Sequence, residues 1–473
     1  MIDLKSNRVT VIGLGASGLA AARLCLARGA VVTLGDARAD VPAAAELAAA
    51  GAKLALGDHA LALADAELVV LSPGVPPFAE LALAEGRGAE IVSEVELATR
   101  ALVRPAPIVA VGGTNGKSTV TTLLGELLSA GGRRAFIGGN LGEPLSAHAD
   151  EELDLIVLEV SSYQMERVRT FAPRAALLLN LSPDHLDRYA GMAEYAAAKG
   201  NAFARQTPAD LAVVPFGDEG CLAQARRGGG RVVTFGVEPQ ADVVVAADHI
   251  LHRGLGARFS LAQLRLRGAH NALNVAAALA VAIDLGVDAA FVASVLSTFE
   301  GLAHRMAYVA EVGGVRFYDD SKGTNVGASV TALLGLAEPK AVIILGGRDK
   351  GGTYAPLVDA LRARARAAVL VGEAAPLLAD AIGDAVPTAR AATMAEAVDQ
   401  AATFARPGDA VLLSPACSSF DMFRDYKERG DVFVAAVHAR SGESAEAPHE
   451  PAASPGGANE GRWRGRVEGE GSP

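Results

Sequence analysis

The sequence predicts an α/β protein of three domains, each built on a largely parallel sheet covered by helices. Three observations carry that expectation. At 473 residues the chain is too long for one hydrophobic core, and about 150 residues per domain gives roughly three domains. The composition is 51% hydrophobic but only 5% aromatic, so the cores are made of Ala, Leu and Val, as in buried parallel strands and the helices that cover them. Short apolar runs also alternate with Ala-rich helical stretches along the chain, which is the rhythm of βαβ units.

Taken in order, "RVTVIGLG", "GLAAARLCLARG", "AVVTLGD" and "ELVVLSPGV" make residues 1–103 a Rossmann-like domain. The proline-bearing "VRPAP" marks its end. Residues 104–301 follow as a central P-loop ATPase-type domain, with the strand "IVAV", a glycine loop and the helical "STVTTLLGELL". Two strands, "DLIVLEV" and "AALLLN", and a helix over about 269–286 complete it. A boundary at "GLAHR" opens residues 302–440, where "VRFYDDS", "AVIILGG", "AAVLVGE" and "AVLLSPA" alternate with helices as a second Rossmann-like domain. Residues 441–473 are rich in Gly, Pro, Ala and Glu, with Trp463 and Val467 as the large apolar residues. They bury too little surface to offset ordering entropy, so a disordered tail is expected.

Several classes are excluded. A net charge of −11 argues against a generic nucleic-acid binder. No apolar run reaches the roughly 18 residues of a membrane span, and "MIDLKSNRVT" lacks a signal pattern. Cys25, Cys221 and Cys417 have no metal-like spacing and leave an odd thiol, which fits a reducing, cytoplasmic setting.

Two glycine loops carry the chemistry. The second, Gly113-Thr114-Asn115-Gly116-Lys117-Ser118-Thr119, runs from a strand into a helix. Its amides converge on phosphate oxygens, Lys117 reaches terminal phosphates, and Ser118 or Thr119 can ligate Mg²⁺. Val111 stands where the general P-loop pattern has Gly. The first loop, Gly13-x-Gly15-x-x-Gly18 with Asp36 after the next strand, resembles a nicotinamide-dinucleotide fingerprint. The same physics serves any diphosphate on a helix N-terminus, or a structural turn, and the spacing alone leaves the three open. Glu159 ends an apolar strand, and Asp184 and His185 sit in "NLSPDHLDRY" after another. Both places fall at a sheet's carboxyl edge, where two magnesium ions beside a nucleotide would suit γ-phosphoryl transfer.

"GTNGKST", "LEVSSYQ", "NLSPDHLDRY" with "YAAAK", "HNALN", "HR" at 304–305 and "DDSKGTN" together resemble the ATP-dependent Mur ligases of bacterial peptidoglycan synthesis, over roughly residues 1–440. "DSKGTN" with "LSPACSSFDMFRDYKERG" is similar to the branch that adds D-glutamate. The resemblance implies UDP-N-acetylmuramoyl-L-alanine on the first loop, ATP on the second, D-glutamate on the last domain, and reaction through an acyl phosphate and a tetrahedral intermediate. It implies a monomer with Lys117, Glu159, His185 and Lys199 as catalytic residues. Two Mg²⁺ sites would use Ser118, Glu159, His185 and Lys199, the last carrying a carbamate. ATP would also meet Asn271, Arg305 and Asp320. The UDP substrate would meet Gly15, Ser17, Asp36, Arg38, Ser72, Pro73, Gly74, Asn140 and Gln164, and D-glutamate Lys322, Thr324, Lys350, Ser419 and Tyr426. Tyr426 replaces a common Phe, and Gly323 a common Ala. The competing readings are a Mur ligase for another amino acid, a nicotinamide oxidoreductase that leaves the second loop unused, and a scaffold with no need of Glu159, His185 and Lys199 together.

Overall fold

The computed structural model describes residues 2–441 except 131, 187, 267 and 352. The expected tail lies outside the described residues apart from Ser441, which closes the helix Tyr426–Ser441. Among the described residues three sheets form, and no helix is long and apolar enough to cross a membrane.

The first sheet is wholly parallel, in the order Lys53–Leu56, Val31–Asp36, Arg8–Ile12, Leu68–Leu71, Glu90–Ser93. The chain runs outward from Arg8–Ile12 and then returns to its other side. That reversal opens a crevice at the strands' carboxyl ends, where the first glycine loop lies. Gly18 allows the helix Ala16–Ala27 to pack on this loop, because a Cβ there would stand 1.9 Å from the Gly13 carbonyl oxygen.

The second sheet runs Ala257–Ser260, His249–His252, Val243–Val245, Arg231–Gly236, Leu211–Pro215, Ala175–Leu178, Ile108–Gly112, Leu155–Glu159, Ala135–Gly139. It is parallel except for the antiparallel pairs at the His249–His252 strand. "IVAVG" and "LIVLE" are buried at every position, as expected of central strands covered on both faces. The third sheet runs Ala307–Val312, Val315–Asp319, Ala410–Ala416, Ala341–Gly346, Ala365–Val371, Thr388–Arg390, with an antiparallel first pair.

One short helix, Glu94–Ala101, locks the first two units together. Ser93 caps it, accepting from the Glu96 amide. Leu97 and Ala101 pack into the first core, while Val95 and Ala98 pack into the second. The fully buried Glu96 carboxylate accepts the amides of Arg169, Thr170 and Phe171 at 3.0, 2.8 and 3.1 Å, and the Thr170 hydroxyl at 2.7 Å. Glu94 accepts the amide and hydroxyl of Ser146 at 2.7 and 2.5 Å. The Glu96 carboxylate, so satisfied, fixes a domain angle, because sliding the interface would strip its charge of donors.

Candidate active site

The second loop begins where the buried strand Ile108–Gly112 ends. Gly116 has φ +83°, and the helix Lys117–Leu128 starts behind it without a side-chain cap, so its first amides face outward. Asn180 clamps the loop. Its Oδ1 accepts the amides of Thr114 and Asn115 at 3.2 and 2.8 Å, and its Nδ2 donates to the Asn115 carbonyl at 3.1 Å. Lys117 folds back to donate to the Thr114 carbonyl at 2.8 Å. Burial holds its ammonium below the usual lysine range, with Glu159 opposing that shift.

Around this loop the expected groups converge. Glu159, 3% exposed at its strand end, accepts the Ser118 hydroxyl and, at 2.6 Å, the Asn140 amide. Asn140, expected at the UDP substrate, thus belongs to the Glu159 group. Arg305 crosses from the third unit to donate to Ser118 Oγ at 2.6 Å. Lys199 is 5% exposed; its ammonium donates to the Gly113 carbonyl at 2.8 Å and stands 4.7 Å over the Tyr195 ring. Burial, aided by the charge of Lys117, lowers its pKa well below the ordinary value. His185 has φ +56°, packs against Tyr163 at 4.7 Å, and is held below the usual histidine range by burial, which favours the neutral ring.

A cavity of about 610 Å³ opens beside the loop between the second and third units, lined by Asn115, Thr119, Asn271, Arg305, Asp320 and Lys322 among others. The buried Ser182 hydroxyl on its wall has no partner, and with the uncapped helix it fits an anionic ligand. Among the described residues no three His, Cys, Asp or Glu side chains converge. A divalent ion at the loop would find the Ser118 hydroxyl and the Glu159 carboxylate together, hard oxygens of the kind magnesium takes. Burial raises the Asp320 carboxyl to about 7, although the Ser414 hydroxyl donates to it at 2.6 Å.

At the first loop Asp36 accepts the Leu14 amide at 2.8 Å and the Arg38 guanidinium at 2.9 Å, and Ser72 donates to the Gly13 carbonyl at 2.6 Å. Arg38 holds the Asp36 carboxyl far below the usual range. Gly15 precedes an uncapped helix, Ser17 stands in its first turn, and Pro73 and Gly74 lie in the loop after Leu68–Leu71, all with some exposure. Gln164, expected at the UDP substrate, accepts the Ser161 amide through Oε1 at 2.9 Å in a capping box.

In the third unit Lys322 sits 4.0 Å over the Tyr426 ring, and Lys350 donates to Thr324 Oγ1 at 3.4 Å. Burial, with Arg305 nearby, brings Lys322 down to about 8. Ser419 is buried in the loop that precedes the helix starting at Tyr426.

Four residues of the site escaped the sequence reading as individuals. Asn180 clamps the loop. Asn325 donates to Asp184 at 3.2 Å and to Asn115 at 3.4 Å, tying the third unit to the second. Arg188 donates to the Val75 carbonyl at 2.8 Å, joining the His185 loop to the first unit. Arg429, fully buried, donates to the Ser321 and Cys417 carbonyls at 2.7 and 3.2 Å. All four stand in motifs quoted above, but their partners are distant in sequence.

A phosphate loop in a central unit, gripped by an arginine from a third unit and flanked by a first unit with a second glycine loop in its crevice, defines a three-domain nucleotide-dependent enzyme. Comparison with known proteins gives the family. Residues 7–93 match the "Mur ligase MurD-like, N-terminal domain", 111–282 the "Mur ligase middle domain" and 304–417 the "Mur ligase, glutamate ligase domain". The chain is 44% identical to the UDP-N-acetylmuramoylalanine--D-glutamate ligase of Syntrophotalea carbinolica, over 93% of this chain and 100% of that one. It is 43% identical to the protein of that name from Pelobacter propionicus, with the same coverage. Among solved structures, MurF ligase of Thermotoga maritima in complex with ADP aligns over 93% of this chain and 99% of that one, with TM-score 0.59 at 17% identity. UDP-N-acetylmuramate-alanine ligase MurC of Thermotoga maritima gives TM-score 0.57 at 19% identity, over 91% and 99%. The chain belongs to the Mur ligase family.

Proposed function

We propose that this protein uses ATP to join D-glutamate to UDP-N-acetylmuramoyl-L-alanine, releasing ADP and phosphate, as a monomer in cytoplasmic peptidoglycan precursor synthesis. The acceptor and amino acid follow the curated relatives, which are matched along their whole length. The observation that carries the residue roles is the meeting of Arg305, Ser118 and Glu159 at the helix N-terminus beside the cavity.

A carboxylate is a poor electrophile, so the substrate carboxylate first attacks the γ-phosphorus. The bond to ADP breaks and an acyl phosphate forms. The helix amides at 116–119, Lys117 and Arg305 offset the negative charge gathered there. The amine of D-glutamate then adds to the acyl carbon, and the tetrahedral intermediate collapses by expelling phosphate. Gly15, Ser17, Asp36, Arg38, Ser72, Pro73 and Gly74 would seat the UDP portion, and Asn271 and Asp320 the nucleotide. Lys322, Thr324, Lys350, Ser419 and Tyr426 would hold D-glutamate, whose two carboxylates suit two lysines. Asn325 and Arg305, reaching from the third unit, help exclude water from the acyl phosphate.

Ser118, Glu159, His185 and Lys199 would hold magnesium, which when bound neutralises charge on the phosphate oxygens. Lys199 fits carbamylation, because burial beside Lys117 favours its neutral amine, the form to which CO₂ adds. The reading is tested by phosphate release from ATP with UDP-N-acetylmuramoyl-L-alanine and D-glutamate, L-glutamate, L-alanine or no amino acid, with product mass. Release and a one-glutamate mass gain with the D-isomer alone are expected; turnover with another amino acid, or none, overturns it.

A further inference from the structure

Two loops of the third unit carry groups assigned above to the amino acid: one holds Lys350, the other Ser419. The backbone stitches them together. The Arg348 amide donates to the Ser418 carbonyl at 2.9 Å and the Ser418 amide to the Arg348 carbonyl at 3.0 Å, an isolated antiparallel bridge. Gly347, at φ +125°, permits the approach, since a Cβ there would stand 2.1 Å from the Ser418 carbonyl oxygen.

Behind the bridge lies one aromatic side chain that touches both loops. Tyr354, 7% exposed, donates its hydroxyl to Asp349 Oδ1 at 2.5 Å, and the same oxygen lies 3.5 Å from Cys417 Sγ. The other carboxylate oxygen of Asp349 accepts the Gly351 amide at 3.0 Å, so this carboxylate shapes the backbone on both sides of Lys350. Lys350 in turn ends at Thr324. Burial and the carboxylate both raise the phenol's pKa, which keeps it a donor across the working pH range.

We propose that Tyr354 is a positioning residue for the amino-acid substrate: its hydroxyl fixes Asp349, and through it the place of Lys350 relative to Ser419. The proposal rests on the reading of Lys350 and Ser419 as the D-glutamate site. A tyrosine that only filled the core would lose stability without its hydroxyl but would leave substrate capture unmoved.

The test is Tyr354→Phe in the full chain, with KM measured separately for D-glutamate, ATP and the UDP substrate, alongside kcat and a thermal melt. The expected result is an approximately tenfold rise in KM for D-glutamate, with kcat and the other two KM values within about twofold, as suits loss of one charge-assisted hydrogen bond. Asp349→Asn should move the same constant the same way, and the double variant should exceed the larger single by little, because both remove one contact. A folded Tyr354→Phe enzyme with unchanged KM for D-glutamate overturns the proposal. If Tyr354→Phe fails to fold, Asp349→Asn decides by the same reading. Wild-type protein without D-glutamate-dependent turnover overturns the functional reading and this proposal together, whereas an active wild type with an unmoved variant overturns this proposal alone.

Discussion

The two phosphate loops use the same backbone device and differ in what surrounds it. Each leaves a buried strand, turns on a positive-φ glycine (Gly13 at +86°, Gly116 at +83°) and opens a helix without a side-chain cap. At the first, the charged side chains neutralise each other: Arg38 forks onto Asp36, and Asp36 braces the loop through the Leu14 amide. At the second, Lys117, Lys199 and Arg305 surround Glu159 and Asp184 in a buried pocket that strains the charge of both lysines. Glycine spacing therefore says where an anion can sit, and the converging side chains say whether it will react.

The sharpest way to break this contrast is to remove the charge of the second loop. Lys117→Met should lower turnover on the order of 10³-fold while leaving affinity for the UDP substrate unchanged, because the lost group acts on charge that develops in the transition state. Steady-state kinetics with a direct binding measurement checks both halves. The converse change comes third in size. Asp36→Ala should raise KM for the UDP substrate about tenfold and leave kcat alone, since a seat rather than a reactant is altered; a fall in kcat instead would show the first loop to be coupled to chemistry.

Between these in size lies the joint that sets the loops' distance. Glu96→Ala takes the acceptor from the buried Phe171 amide and from the part-buried Arg169 and Thr170 groups, so a loss of about 2 kcal/mol in denaturant unfolding is expected. With both loops intact but their units no longer locked, KM for the UDP substrate should rise more than that for ATP, because the second loop keeps all of its own clamps.

Most of the second loop was legible in the sequence, and the reason is chemical. Gly116, Lys117 and Ser118 are each required by a local geometry that other residues do not supply, and Glu159 at a strand end and His185 in the loop after the next strand fall at the edge where a βαβ pattern gathers such groups. Gln164 carries a second signal that was in plain view beside its expected substrate role: Ser161-x-x-Gln164 is a capping box, which engages its Oε1. Asn325 and Arg429 were not legible as site residues. Asn325 meets Asn115 across 210 positions and Arg429 meets Ser321 across 108, and nothing in a single sequence records such a pairing. Tyr354 and Glu96 escaped for the same reason, since a buried tyrosine or glutamate announces its partners only once the fold has brought them up.

The smallest expected effect separates the two loops by pH. Beside Arg305, His304 sits at φ +62° with Nδ1 2.6 Å from Asp319 and Nε2 3.6 Å from Asp431. Burial opposes its charge, but Asp319 and Asp431 outweigh burial and raise its pKa above the ordinary value. A group whose folded pKa is raised contributes stability that is complete below its unfolded pKa, about 6.5, and is lost as pH rises through the folded value. Asp36 has the opposite sign. Its folded pKa is depressed by Arg38, so its contribution is complete above about pH 3.9 and is lost only as pH falls toward the folded value. Between pH 6 and 9, then, the anchor behind the second loop weakens while that of the first stays constant. Melting temperatures of wild type, His304→Gln and Asp36→Asn across that range test this. The gap between wild type and His304→Gln should narrow toward pH 9, while the gap to Asp36→Asn should not change; parallel curves for both would mean that the carboxylates around His304 do not hold its proton, and that the two neighbourhoods share one electrostatic character after all.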